Sequence, residues 1–156
     1  MNYGGYPAVV LEPNISGKIE RLKEIRDSLV KRGILEEGIS DEGKIFRLMI
    51  VLASQIGNLL NVNAISKTMK ITNNTTEKYL FVLQKCFHIG LVKSFFQNLR
   101  KNLVKMPKAY FEDLGLRNVL INYFAPIEQR VDKGALLKNY VYRKPLETNT
   151  KDQLKF

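Results

Sequence analysis

Nine residues carry the chemistry this sequence offers most plainly: Lys67, Lys70, Asn73, Asn74, Thr75, Thr76 and Lys78 in one short run, and Arg100 and Lys101 further along. Their types suit a polyanion. Lysine and arginine pair with phosphate, asparagine can bond adenine in a bidentate way, and threonine can meet a phosphate or a thymine methyl. Position matters as much as type. A helix start offers backbone N–H groups with no intrahelical acceptor, and residues 73–76 fall where a helix is expected to begin. The same residues have an ordinary use as well, since Asn and Thr before a helix are capping residues, at about 1 kcal/mol each. Lysines around a turn are also ordinary surface.

Other constellations do not reach a chemistry. Residues 38–45, GISDEGKI, imitate the phosphate loop G-x-x-x-x-G-K-[ST], but Ile45 stands where a magnesium-binding hydroxyl is required, and Asp41 and Glu42 would repel phosphate. Gly4-Gly5 reads as a turn. Cys86 and His88 are the single cysteine and histidine. Two apart on an expected helix, they diverge and do not share a metal, so both read as core or boundary residues. Glu112 and Asp113 could hold a metal ion, but such a pair more often caps a following helix, here one starting near Leu114. No internal disulfide, cofactor or metal site is expected.

The net charge of +10 is unevenly placed. Residues 1–62 balance to zero, residues 63–117 carry +7 and residues 118–156 carry +3. A polyanion or an acidic protein surface is the natural partner for such a middle third, although a basic face can also serve solubility alone. No apolar run approaches the roughly 18 residues that span a bilayer, and the first residues lack the pattern of a signal peptide. A cytoplasmic protein without membrane contact is therefore expected.

The elements that must position these residues follow from periodicity. Ile19, Leu22, Ile25, Leu29 and Val30 predict a helix from about Ser16, its cap, to Arg32, stopped by Gly33. Asp41 is expected to cap a helix over 42–57 with Ile45, Leu48, Met49, Leu52 and Ile56 on one stripe. A short helix over 62–70 faces the core with Ile65 and Met69. After a turn at 71–73, a third helix runs from 75 to 88, burying Tyr79, Leu80, Val82, Leu83, Cys86 and Phe87. Phe81, two residues after Tyr79, points away from that side and, if exposed, marks an apolar partner surface. Strands are expected over 91–96 and 103–111, joined by a basic loop holding Gln97, Asn98, Arg100 and Lys101. Pro107 demands an edge or break. Helical patterns return at 114–124 and 133–143, and the tail after Pro145 is polar.

Three helices followed by a two-stranded hairpin is the order of a winged helix, with residues 62–105 as the basic helix-turn-helix and wing. The expected fold class is mostly α with a small β component (α+β), a winged helix-turn-helix followed by a partial sheet-and-helix segment. Its divisions are a linker segment and N-terminal helix (1–40), a winged-helix domain (41–105) and a further segment (106–156).

Several motifs, in order, carry a family resemblance: YGGYPAVVLE (3–12), LASQIG (52–57), TTEKYLFVL (75–83), FFQNLRKNLVKMPKAYFEDLGLRN (95–118) and GALLKNYVY (134–142). The chain resembles the domain of unknown function that follows the ATPase core in a large group of prokaryotic AAA+ superfamily ATP-binding proteins. The resemblance implies a winged helix continuing into a part compared with restriction-endonuclease-like folds. It also implies departures. No ATPase core precedes Met1, and the chain stops where family members continue into a strand bearing an acidic motif. Lys138 stands where a glutamate is common, and Lys70 where a turn glycine is common. An excised or split piece without a complete active site is expected. Its expected role is non-catalytic: a winged-helix module binding DNA or regulating a partner. The alternative is an interaction domain that docks on an AAA+ ATPase core in trans or self-associates, with Phe81 on the docking surface.

Overall fold

Asp41 shows how locally this chain specifies its elements. Its carboxylate accepts the Lys44 N–H at 3.0 Å and starts a helix, as the sequence indicates. The structure, a computed structural model, describes residues 2–37, 39, 41–86, 88–93 and 106–153, of which 33–37 and 145–153 are described by backbone alone. Within these, the chain runs through α1 (Pro7–Val10), α2 (Ile15–Glu37), α3 (Glu42–Ser54), α4 (Val62–Met69), α5 (Asn73–Lys85), β1 (Ile89–Val92), β2 (Lys108–Phe111), α6 (Leu114–Leu120), a 3-10 turn (Ile127–Gln129) and α7 (Lys133–Gln153). It is a mostly helical α+β protein with one two-stranded antiparallel sheet.

The apolar stripes meet in one core. Ile45, Leu48, Met49, Leu52 and Ile56 are all buried, as are Ile65 and Met69 of α4 and Tyr79, Leu80, Val82 and Leu83 of α5. Leu22 and Val30 of α2 join them, with Phe111, Leu116 and Leu136. Each such side chain contributes about 1.5–3 kcal/mol over leaving it in water.

Several boundaries differ from the sequence reading. The helix over α2 begins at Ile15, so Ser16 lies within its first turn and not at the cap position. It continues through Gly33, because a glycine inside a helix costs only about 1 kcal/mol when the rest of the helix is held. Between Leu11 and the start of α2 the chain is anchored, since Lys18 donates to the carbonyls of Val9 and Val10 at 2.8 and 3.2 Å. At the other end, α5 starts at Asn73 and stops at Lys85, so His88 is outside it. The strand that follows starts at Ile89, two residues before the alternation signals it. Helix α6 ends at Leu120, and α7 continues past Pro145 to Gln153.

Strand β2 organises the second half of the molecule. Ile89 pairs with Phe111 and Val92 with Lys108 on one side. On the other side the Gly57 N–H donates to the Ala109 carbonyl (2.9 Å), the Leu60 N–H donates to the Pro107 carbonyl (2.8 Å), and Leu59 bridges Lys108. Gly57 makes that return possible, with φ +74°, a left-handed conformation that costs glycine nothing. Asn139 of α7 reads the end of the same strand. Its amide accepts the Phe111 N–H and donates to the Phe111 carbonyl, both at 2.8 Å and both buried.

A buried polar knot ties α6 to the following loop. Arg117 Nε donates to the Ala53 carbonyl at 2.8 Å, and its Nη1 reaches Asp132 at 2.5 Å and Asn118 at 3.1 Å. Arg130 grips the same carboxylate through Nε (2.8 Å) and Nη2 (2.9 Å) and donates to the Tyr123 carbonyl at 2.7 Å. Burial pulls Arg117 below the usual guanidinium range, an effect that Asp132 only partly offsets. The two guanidiniums hold the Asp132 carboxyl down at about 2.

Candidate nucleic-acid interface

The α4–α5 corner is built by short polar side chains. Asn61 caps α4 by accepting the Ala64 N–H at 3.0 Å. Ser66 donates to the Val62 carbonyl at 2.7 Å and also bonds Asn73, whose amide in turn bonds Asn63. Thr72 caps α5, accepting the Thr75 N–H at 3.1 Å, with the Thr75 hydroxyl 2.8 Å from its own. Lys70 carries the chain between the helices at φ +54° and ψ +46°, left-handed, the conformation for which the sequence resemblance expects glycine. A non-glycine residue there costs roughly 1 kcal/mol.

This scaffold sorts the nine expected residues. Lys67, Lys70, Asn74 and Lys78 are exposed, and their side chains make no hydrogen bond or ion pair among the described residues. Asn73 is exposed, but its amide is engaged in locking the two helices. Thr75 is half-buried and tied to Thr72. Thr76 was expected at the open helix end and is instead completely buried, its hydroxyl donating to the Thr72 carbonyl at 3.1 Å. It faces the core because it lies three residues before Tyr79 and four before Leu80, on their side of the helix. Arg100 and Lys101, with Gln97 and Asn98, lie outside the described residues.

Helix geometry leaves the Asn73 and Asn74 amides without an intrahelical acceptor, so the exposed start of α5 presents two N–H groups beside three lysines. Glu77 is also exposed on α5 and opposes that positive field. Asn74, Lys78 and Phe81 recur at four and three residues and therefore share one face. Phe81 is 59% exposed, pointing away from the buried side of α5 as its position two residues after Tyr79 indicates.

The acidic pair has structural work. Asp113 caps α6 by accepting the Leu116 N–H at 2.9 Å and accepts the Gly5 N–H at 2.7 Å. Glu112 accepts from Tyr142 (2.9 Å) and Arg143 (2.8 Å). Among the described residues no group of three or more His, Cys, Asp or Glu could hold a metal ion. No helix among them is long and apolar enough to cross a membrane. The Thr72 cap was readable in principle from a threonine preceding a helical run, whereas the Asn63–Ser66–Asn73 lock joins residues up to ten apart and has no local signature.

These residues define a mostly helical α+β protein with a basic helix–turn–helix corner. A family model described as "Domain of unknown function (DUF8612)" matches residues 1–126, and the chain belongs to that family. It is also similar to an uncharacterized protein of Haemophilus influenzae, 30% identical over 154 residues that cover 88% of this chain and 37% of the relative. The chain thus spans well under half the length of that relative. No solved structure matches.

Proposed function

We propose that this chain is a non-catalytic, cytoplasmic winged-helix module that binds duplex nucleic acid, with α5 as the helix entering the groove. The observation that carries the reading is the α4–α5 corner: Lys67, Lys70 and Lys78 exposed around two open N–H groups, with Asn74 exposed beside them. Phosphates would meet the lysines and amides, and Asn74 is the residue placed to reach a base edge. The two-stranded sheet and the isolated bridge beside it support the wing. The segment at Leu59 pairs with β2, and β2 pairs with β1, as expected when the chain between the first two helices of a winged helix joins its hairpin. A binding role also suits the acids at 112 and 113, which are occupied in holding the fold. The resemblance to the region following an AAA+ ATPase core is what favours a module working beside a motor, in the same chain or in trans.

Fluorescence anisotropy with a mixed-sequence duplex at about 50 and 200 mM salt tests this, because counterion release steepens the salt dependence by about 0.9 log unit per phosphate contact. Binding at low salt is expected to fall steeply at high salt. Replacing Lys67, Lys70 and Lys78 by Gln is expected to flatten the slope by two to three contacts, and Asn74→Ala to reduce sequence preference with little change in slope. No affinity at the lower salt would remove the proposal.

Phe81 favours a second reading, in which the same face docks a protein, either an ATPase core or a second copy of this chain. Exposed aromatics at the centre of a contact contribute disproportionately to association. Light scattering that shows a monomer, unchanged when a cognate ATPase is added, would argue against this reading.

A further inference from the structure

On the side of the molecule built by the N-terminal segment lies a cavity of about 660 Å³, within the range that encloses a small organic molecule. Its walls come from five places: Gly4–Pro7, Leu29 of α2, the residues just after α5, the β2–α6 junction, and Tyr140 and Arg143 of α7. His88 lines it and is 3% exposed. One side of the imidazole is hydrogen-bonded to the Leu29 backbone, and Nε2 has no partner among the described residues. Burial lowers the His88 pKa, so the ring is neutral at pH 7 and Nε2 presents a lone pair. A buried acceptor without a donor carries a desolvation cost, which a ligand's N–H would relieve.

The remaining lining selects the ligand's sign. Among the described residues, Glu112 and Asp113 are acidic and Arg143, held at 2.8 Å by Glu112, is the one cationic side chain there, so with a neutral His88 the described lining carries a formal charge of −1. That is opposite to the +10 of the whole chain. Both acids spend lone pairs on Gly5, Leu116, Tyr142 and Arg143, but each carboxylate offers about four acceptor sites. Tyr6, Pro7, Leu114 and Tyr140 add aromatic and apolar surface, suited to the flat body of a ligand and, through the tyrosine faces, to its positive charge.

We propose that this cavity binds a small planar organic cation bearing N–H donors, an aryl amine or amidine, with one N–H directed to His88 Nε2 and the positive charge toward Glu112 and Asp113. Nothing in this depends on the α4–α5 face, which lies on other elements.

His88 is the single histidine, so its ring nitrogens can be followed by nitrogen NMR in the intact 156-residue chain without assignment. The probes are benzamidine and benzoate, which match in size and differ in charge and donors. Benzamidine at millimolar concentration is expected to shift the Nε2 resonance saturably, and benzoate to leave it unmoved. His88→Gln, which retains an acceptor, is expected to bind benzamidine about tenfold more weakly, as judged by calorimetry. An unmoved Nε2 resonance with benzamidine, or an equal response to benzoate, would overturn the proposal on wild-type protein, whatever the variant's stability.

Discussion

Asp132 sits between two guanidiniums that have almost no access to water, Arg117 and Arg130. Removing its charge leaves both cations buried without a counterion, and breaking buried pairs in this way costs about 3–5 kcal/mol. Asp132→Asn is accordingly expected to lower stability by about 3 kcal/mol in urea denaturation, toward the lower end because the carboxylate is 18% exposed. The same group sets an acid limit. Its carboxyl titrates at about 2 in the fold and near 3.8 without its partners, so the unfolded chain takes up that proton first. Its contribution, on the order of 2 kcal/mol, is complete above about pH 4 and disappears as the pH falls through 2. Urea midpoints measured between pH 5 and 2 should fall in the wild type, and Asp132→Asn should flatten that decline. Lys70 makes a contrasting case. Lys70→Gly removes left-handed strain and is expected to raise stability by about 0.5–1 kcal/mol, while weakening duplex affinity if the proposed interface is right.

Among the elements, those with strong local signals were legible. Asp41 before α3, the Ile45–Leu48–Met49–Leu52 stripe and the Ile65/Met69 pair all behave as their spacing indicates. Asp113 also caps its helix as expected of an acid before Leu114. What could not be read was set by tertiary partners. Gly33 does not end α2 although glycine is a common stop. Ile89 and Gly90 join the sheet because Phe111 and Tyr110 lie opposite, a pairing that no window around residue 89 contains. The candidate site divides the same way. Exposed Asn74 and Lys78 follow from helix periodicity, but the engagement of Asn73 and the burial of Thr76 depend on α4 and the core. The cavity was wholly hidden, since its lining is gathered from residues 4 to 143. Gly115 shows how tight such gathering is. A Cβ there would lie 2.3 Å from the Tyr3 carbonyl oxygen. Gly115→Ala should therefore displace the first residues while α6 remains, seen as faster amide exchange and proteolysis over 2–7 with unchanged helical circular dichroism.

At the scale of the molecule, residues from Val9 to Leu136 share one hydrophobic cluster, and β2 is held from both sides and by α7. Unfolding is expected to be a single transition, with tyrosine fluorescence and far-ultraviolet circular dichroism tracing one curve in denaturant. Two separated transitions would instead reveal a boundary inside the chain. The attachment of the first residues has a mechanical meaning too. Asn2 donates to the Ala125 carbonyl at 3.0 Å, and its own carbonyl accepts from Asn118 at 2.8 Å. Tyr3 stacks on Phe124, and Gly5 is held by Asp113. A rotation applied at Asn2 would have no slack in which to dissipate, so any body joined ahead of that residue would turn α6, and the frame around it, as a lever turns its shaft.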